Sequence, residues 1–426
     1  METSLETSLE TRSRTRSHTI RPDARRLHCG SQELRGLFPH TAQGLVYLDH
    51  AAISPFSTRV IAALDEHLQA RSLEINTYAR DVEVAKACRD NLAQLIGAES
   101  GDHIAFCMNT SDALNIVAAG LHLRSGDRVL LNDAEFPTNV YPFLHLRSQG
   151  VVVEFLGTKD GAVTAEMVEE SIKRSAGRVQ VVSLSAVQFL SGYRADLAAI
   201  GAVCKRYGVV FVVDAIQALG ACAVDVKAMQ IDALAAGGQK WLMAQTGIAF
   251  LYVSPALQER ITQPTLGWTS VRNPWDFYNY DQPLAAAAKR YENGTLNFSG
   301  IITLSASLQL LMECGIDHIH QHLLGLTEQI TKGLQGLNDA VGAEVLMPIA
   351  LEAPHRAGIA TARLCGSHGV LERGERVHAA LAANKIGISL RDGCLRYSPH
   401  CYSTADDVQM ALEHTREAFR RVLENA

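Results

Sequence analysis

Three stretches of this chain place residues that can do chemistry where strands should end. Lys240 lies in GGQKW (237–241), between the apolar runs IDALAA and TGIAFLYV. Asp214 closes the apolar run VVFVV (209–213), and Gln217 follows it in VDAIQALG. Thr110 and Ser111 lie in CMNTSDALN (107–115). Each has an ordinary reading. A lysine stem usually lets its ammonium reach water. Asp, Thr and Ser after a strand commonly cap a following helix. Each also has a chemical reading. A desolvated lysine sheds its proton more easily and attacks aldehydes. A carboxylate can keep a pyridine nitrogen protonated. Hydroxyls at a helix N-terminus join free backbone N–H groups in holding phosphate.

Lysine, carboxylate and phosphate cradle together are what pyridoxal 5′-phosphate requires, so that its ring can take up electrons from a substrate carbon. Phe136, in NDAEFPTNVYPF, is either core or a ring that stacks on the cofactor face. The chain has neither a Walker A loop nor a GxGxxG fingerprint, so nucleotide-binding loops do not compete.

The elements that must position these residues alternate. Helical spacing covers 58–71 and 81–97. Strand HIAFCM (103–108) precedes a helix from Ser111 to about 122, and strand RVLL (128–131) precedes a helix over 138–148. Strand VVVEF (151–155), helix 164–175, strand VQVVSLS (179–185), helix 196–206 and strand VVFVV continue the series. IDALAA (231–236) and GIAFLYV (247–253) are further strands. Such alternation predicts an α/β fold with a mostly parallel central sheet, whose ligands gather at the carboxyl ends of the strands. A helical stretch over 303–337, a strand–turn–strand in GISLRDGCLRYSPH (387–400) and a helix from about Thr404 predict a smaller α+β domain. The expected division is a disordered extension (1–30), a large domain (31–302) and a small carboxyl-terminal domain (303–426).

The 426 residues are 47% hydrophobic and 20% charged, with net charge -6, so neither nucleic acid nor membrane is an expected partner. The nine cysteines are scattered without a CxxC pair, which predicts no metal site and a reducing, cytoplasmic location.

Further segments complete a pattern. YLDHAA (47–52), NTSDALN, VDAIQALG, GGQKW, YENGTLN (291–297) and RYSPHCYST (396–404) occur in the order of, and each resembles, a motif of class V aminotransferases. These are fold-type I pyridoxal-phosphate enzymes that include cysteine desulfurases, kynureninases and isopenicillin-N-epimerase-like proteins. The resemblance implies a role for each matching residue. Lys240 would form the Schiff base with the cofactor and shuttle the proton. Asp214 would face the pyridine nitrogen, Gln217 the phenolic oxygen, and Phe136 the ring. Thr110 and Ser111 would hold the phosphate. Thr295 would reach the phosphate of a neighbouring subunit, implying a homodimer with shared sites. Arg396 would clamp the substrate carboxylate with help from Arg391, the alternative being a surface ion pair. His50, Gln188, Trp268 and Arg272 are candidates for the substrate pocket or for packing. The aromatic segment VRNPWDFYNYDQP is expected to be an ordered loop near the site.

Two departures qualify the resemblance. Desulfurases usually carry Ser and His three and one positions before the lysine, where this chain has Gly237 and Gln239, so the donor at Gln239 is changed. The long cysteine-bearing insertion between the two arginines is also absent, and only DGCL separates Arg391 from Arg396. The expected activity is a carbon–sulfur lyase on an amino-acid substrate. An aminotransferase or epimerase shares every residue named. A catalytically silent protein of the same fold and an oxidoreductase are the readings from other classes.

Overall fold

The computed structural model describes residues 26–159, 161–341, 345–346, 353–364 and 370–424; Cys365 and residues 1–25 of the expected extension lie outside them. The chain is already packed at Leu27, which is buried and donates its N–H to Glu313 O at 3.3 Å.

In chain order the strands are β1 (Val46–Tyr47), β2 (Ile104–Cys107), β3 (Arg128–Asn132), β4 (Val152–Leu156), β5 (Val179–Ser185) and β6 (Val210–Asp214). They continue with β7 (Ala233–Gly237), β8 (Ala249–Val253), β9 (Val345–Leu346), β10 (Ala360–Leu364), β11 (Ile386–Gly387), β12 (Ser389–Arg391) and β13 (Cys394–Tyr397). Seven form the central sheet, in the order β2-β8-β7-β6-β5-β3-β4. β8 runs antiparallel to both its neighbours, and the other pairs are parallel. The carboxyl ends of β2, β3, β5, β6 and β7 therefore share one edge of the sheet.

The apolar run VVFVV explains why this sheet is central. Val210 and Val212 point into one core, Phe211 and Val213 into the other, and all four are essentially inaccessible. Burying each such side chain contributes roughly 1.5–3 kcal/mol, so both faces must be covered by helices. The predicted helix over 138–148 is instead a short helix (Tyr141–His145) between two 3-10 turns. Pro137 and Pro142 confine it, since each lacks an N–H and is tolerated only at a helical start.

A third core joins Val46 and Leu48 to Leu326, Ile330, Leu334, Tyr397 and Phe419. β1 pairs with β11, so the segment before the large sheet is built into the small carboxyl-terminal unit. The helix Phe298–Cys314 runs unbroken across residue 302. It ends at Gly315, where φ is +81°, and the next helix leaves at 77°.

Candidate active site

The strand ends bring the predicted residues together. Ser185 on β5 is in register with Asp214 on β6, which is in register with Ala235 on β7. β7 runs out at Gly237, and a tight turn follows in which Met243 N bonds Lys240 O at 2.9 Å. The Lys240 carbonyl also accepts the Ser54 hydroxyl. Trp241, fully buried, locks the turn. A Cβ at Gly220 would overlap its carbonyl, and one at Gly358 would overlap its indole. The lysine amine lies 5.5 Å from the centre of the Phe136 ring. Burial pulls its pKa down to about 8 against the opposing attraction of Asp214, and Arg396 and Arg391 lower it further. A sizeable fraction is then neutral amine near pH 8, the form that attacks an aldehyde.

Asp214 is 2% exposed and accepts Ile216 N at 3.0 Å. A turn rather than a helix follows it, so it caps no helix. Burial raises its pKa to about 6. A desolvated carboxylate without a paired cation is costly, and a protonated ring nitrogen is the kind of group that offsets it.

A second buried carboxylate was not anticipated from the sequence. Glu135 accepts Ser185 N at 2.8 Å, the Ser185 hydroxyl, and Gln188 Nε2 at 3.2 Å. Burial raises it to about 7, with a smaller contribution from the Asp214 charge. The only hint in the sequence is its position just past the end of β3. A carboxyl whose pKa is higher folded than unfolded contributes stability that is full below the unfolded value and lost as pH rises through the folded one. From about 4.5 to about 7, Glu135 should therefore cost the cofactor-free protein on the order of 3 kcal/mol. Glu135→Gln should flatten that decline in urea denaturation between pH 5 and pH 8. An unchanged pH profile would refute the assignment.

At the phosphate end, Asn109 caps the helix Thr110–Gly120 by accepting Asp112 N at 2.9 Å. The N–H groups of Thr110 and Ser111 are in the first turn, where no intrahelical partner exists. Thr110 Oγ1 is buried with no hydrogen-bond partner among the described residues. A buried hydroxyl of that kind is costly unless something polar meets it. Ser111 Oγ lies 3.0 Å from Thr138 Oγ1, a neighbour the sequence did not suggest. Unpartnered hydroxyl, helix N-terminus, lysine and carboxylate together fit pyridoxal phosphate.

The two departures around the lysine are one change. A Cβ on Gly237 would come within 2.5 Å of Gln239 Oε1, so a serine there would displace the glutamine. Gln217 keeps only part of its expected freedom. Its carbonyl accepts Trp241 Nε1 at 2.8 Å and its amide donates to Ala51 O at 3.0 Å. One N–H remains for the phenolic oxygen.

Arg396 is 2% exposed, donating to Phe189 O at 2.6 Å and Ser389 Oγ at 3.0 Å. Its Nε is buried without a partner among the described residues. Burial brings its pKa down to about 10. Arg391 is exposed and stands opposite Cys394 across a two-residue hairpin. Asp392 (φ 48°) and Gly393 (φ 71°) both take the left-handed conformation, as in a type I′ turn.

Of the two readings of His50, substrate pocket or packing, the structure gives packing, which corrects the substrate-contact assignment: it is 0% exposed. Its Nδ1 meets Ser398 O at 3.0 Å and its Nε2 meets Tyr402 OH at 2.9 Å. Both nitrogens are used inside the protein, so none is left for substrate. Gln188 is buried against Glu135, whereas Trp268, Arg272 and Thr295 are exposed. The aromatic segment is tethered by Arg272 N to Pro283 O at 2.9 Å and by an edge-on contact of Trp275 with Tyr78.

The sequence pattern described as Aminotransferase class-V matches residues 46–410. The chain belongs to the class-V aminotransferase family. It is a fold-type I pyridoxal-phosphate-dependent enzyme. It is 29% identical over 390 residues to a probable cysteine desulfurase of Methanothermobacter thermautotrophicus, covering 87% of this chain and 94% of that one. It is 26% identical over 387 residues to an uncharacterized aminotransferase, YcbU, of Bacillus subtilis, covering 90% and 96%. Among solved structures, an apo cysteine desulfurase from Thermococcus onnurineus superposes with a TM-score of 0.81 at 24% identity, covering 94% and 99%. A cystine C–S lyase in complex with cysteine persulfide superposes with a TM-score of 0.78 at 21% identity, covering 89% and 99%. At these identities the two structures support the fold alone. Among the described residues, no single helix is long and apolar enough to cross a membrane.

Proposed function

We propose that this class-V enzyme cleaves a carbon–sulfur bond in a sulfur-containing amino acid by β-elimination. The observation that carries it is the Asp392–Gly393 hairpin. Cys394 is 0% exposed within β13, and a type I′ turn gives it no reach. Cys107, near the phosphate loop, is also buried, which pushes its thiol well above the ordinary range. Sulfur therefore leaves without transfer to either of these thiols. The name of two relatives, probable cysteine desulfurase, supports a sulfur substrate.

Thr110, Ser111 and the helix N-terminus would hold the phosphate, Asp214 the ring nitrogen, Phe136 the ring face, and Lys240 the aldehyde. When bound, the cofactor supplies an electron sink for the substrate's α-carbon. Arg396 binds and orients the substrate carboxylate, with Arg391 adding positive potential. Lys240 Nζ takes the α-proton, and the Cβ–S electron pair leaves with sulfur. The purified enzyme with cystine or cysteine should release pyruvate, ammonia and a sulfide or persulfide. A keto acid retaining the side chain, or the opposite enantiomer, would instead establish the aminotransferase or epimerase reading.

We also propose a homodimer with shared sites. Thr295 is exposed near Gly247 and Asn297, and Leu73, Ile75, Trp275, Tyr278 and Tyr280 leave an apolar surface uncovered. Contiguous exposed apolar surface marks interaction sites. A monomer in light scattering would overturn this.

A further inference from the structure

Asp49 lies where the small unit meets the active-site turn. Its backbone is fixed on the small-unit side: Leu48 N bonds Gly387 O at 2.8 Å, Ser398 N bonds Leu48 O at 2.7 Å, and Ala51 N bonds Ser398 Oγ at 2.9 Å. Five residues later the same segment reaches the lysine turn. Ser54 N bonds Gln239 O at 2.9 Å, and the Ser54 hydroxyl bonds Lys240 O. Between these anchors, the Asp49 carboxylate accepts the Ser389 hydroxyl. Ser389 in turn accepts Arg396 Nη2 at 3.0 Å, leaving Nη2 3.9 Å from Asp49 Oδ1.

This is an unusual way to hold a buried guanidinium. A paired carboxylate would normally take two parallel N–H bonds and fill the fork. Here the counter-charge stands back, and a serine carries the contact. Phe189 O and Ser389 Oγ, both neutral acceptors, take one bond each, and Nε has no partner among the described residues. Of the guanidinium's five N–H groups, most therefore stay available for a second carboxylate. Burial raises the Asp49 carboxyl above its ordinary range; Ser389, Arg396, Arg391 and His378 oppose that shift, and Lys240 and Tyr47 also feel the Asp49 charge.

We infer that Asp49 is a positioning residue for substrate: acting through Ser389, it aims Arg396 at an amino-acid carboxylate while leaving the guanidinium fork open. This rests on the reading of Arg396 under Proposed function. A structural counter-ion would neutralise Arg396 at any geometry. A positioning residue must hold its hydrogen bond to Ser389, and that difference can be measured.

The test uses the holoenzyme and a matched pair of substrates, an amino acid and its methyl ester. Asp49→Ala should raise KM for the acid about tenfold, with kcat within about twofold and KM for the ester unchanged, as expected for losing one charge-assisted contact. Asp49→Asn keeps an oxygen to accept from Ser389 and should recover most of that loss. Ser389→Ala should reproduce Asp49→Ala, and it carries the test if Asp49→Ala does not fold. Titration calorimetry of the acid into cofactor-free protein should show a similar weakening without any turnover. Asp49→Ala with unchanged KM for the acid, an equal rise for acid and ester, or Asp49→Asn as impaired as Asp49→Ala would each overturn the inference. Wild-type enzyme that used acid and ester equally would overturn the role of Arg396 itself, and Asp49's role with it.

Discussion

Lys240→Ala should lose the visible absorbance of the lysine-bound cofactor and about a thousandfold or more of turnover. Among the described residues, no other amine acts on the Lys240 charge. Lys240 sits over the Phe136 ring and beside Asp214, with Arg396 and Arg391 as the other cations acting on it. A guanidinium cannot deprotonate to act as a base at this pH. Added methylamine should restore a small part of the activity, because it supplies a proton acceptor without a tether. Turnover within tenfold of wild type, or an unchanged spectrum, would remove the lysine from the chemistry. In the cofactor-free protein, capture of added pyridoxal phosphate should quicken as pH rises through about 8, where the free Lys240 amine loses its proton.

Asp214→Asn should move activity and stability in opposite directions. Asn keeps an acceptor for Ile216 N but cannot hold a positive ring nitrogen, so turnover should fall about 100- to 1000-fold. The cofactor-free protein should become more stable. The Asp214 pKa is raised from 3.8 to about 6 on folding, so its contribution is full below 3.8 and lost as pH rises through about 6. At pH 8 the ionised carboxylate then costs on the order of 3 kcal/mol, which asparagine does not incur. A higher Tm for the cofactor-free variant at pH 8, with the gap closing toward pH 4, is the expected signature. A variant less stable than wild type at pH 8 would mean that the carboxylate is satisfied internally and not reserved for a ligand.

What was legible in the sequence follows from what burial does to composition. Central strands covered on both faces are largely apolar, so VVFVV announces itself. A polar residue just past such a strand then stands out, which is how Asp214, Lys240 and Thr110 were found. The antiparallel placement of β8 was not legible, because a buried strand has the same composition in either direction. Glu135 was missed because AEFP reads as an exposed loop; Ser185, fifty residues away, makes it buried. His50 stays open between pocket and packing in the sequence for the same reason. Its partners, Ser398 and Tyr402, lie about 350 residues further along. The break at Gly315 within the helical stretch 303–337 was not legible, because apolar spacing continues in the helices on both sides of it.

The pairing of β1 with β11 has a consequence for biosynthesis. Val46 and Leu48 belong to a core whose other members reach Phe419, translated more than 350 residues later. Chains emerging from the ribosome can assemble the large sheet early but must keep their leading strand waiting. A ribosome that stalls before residue 386 releases a product with an apolar ribbon and no strand to receive it.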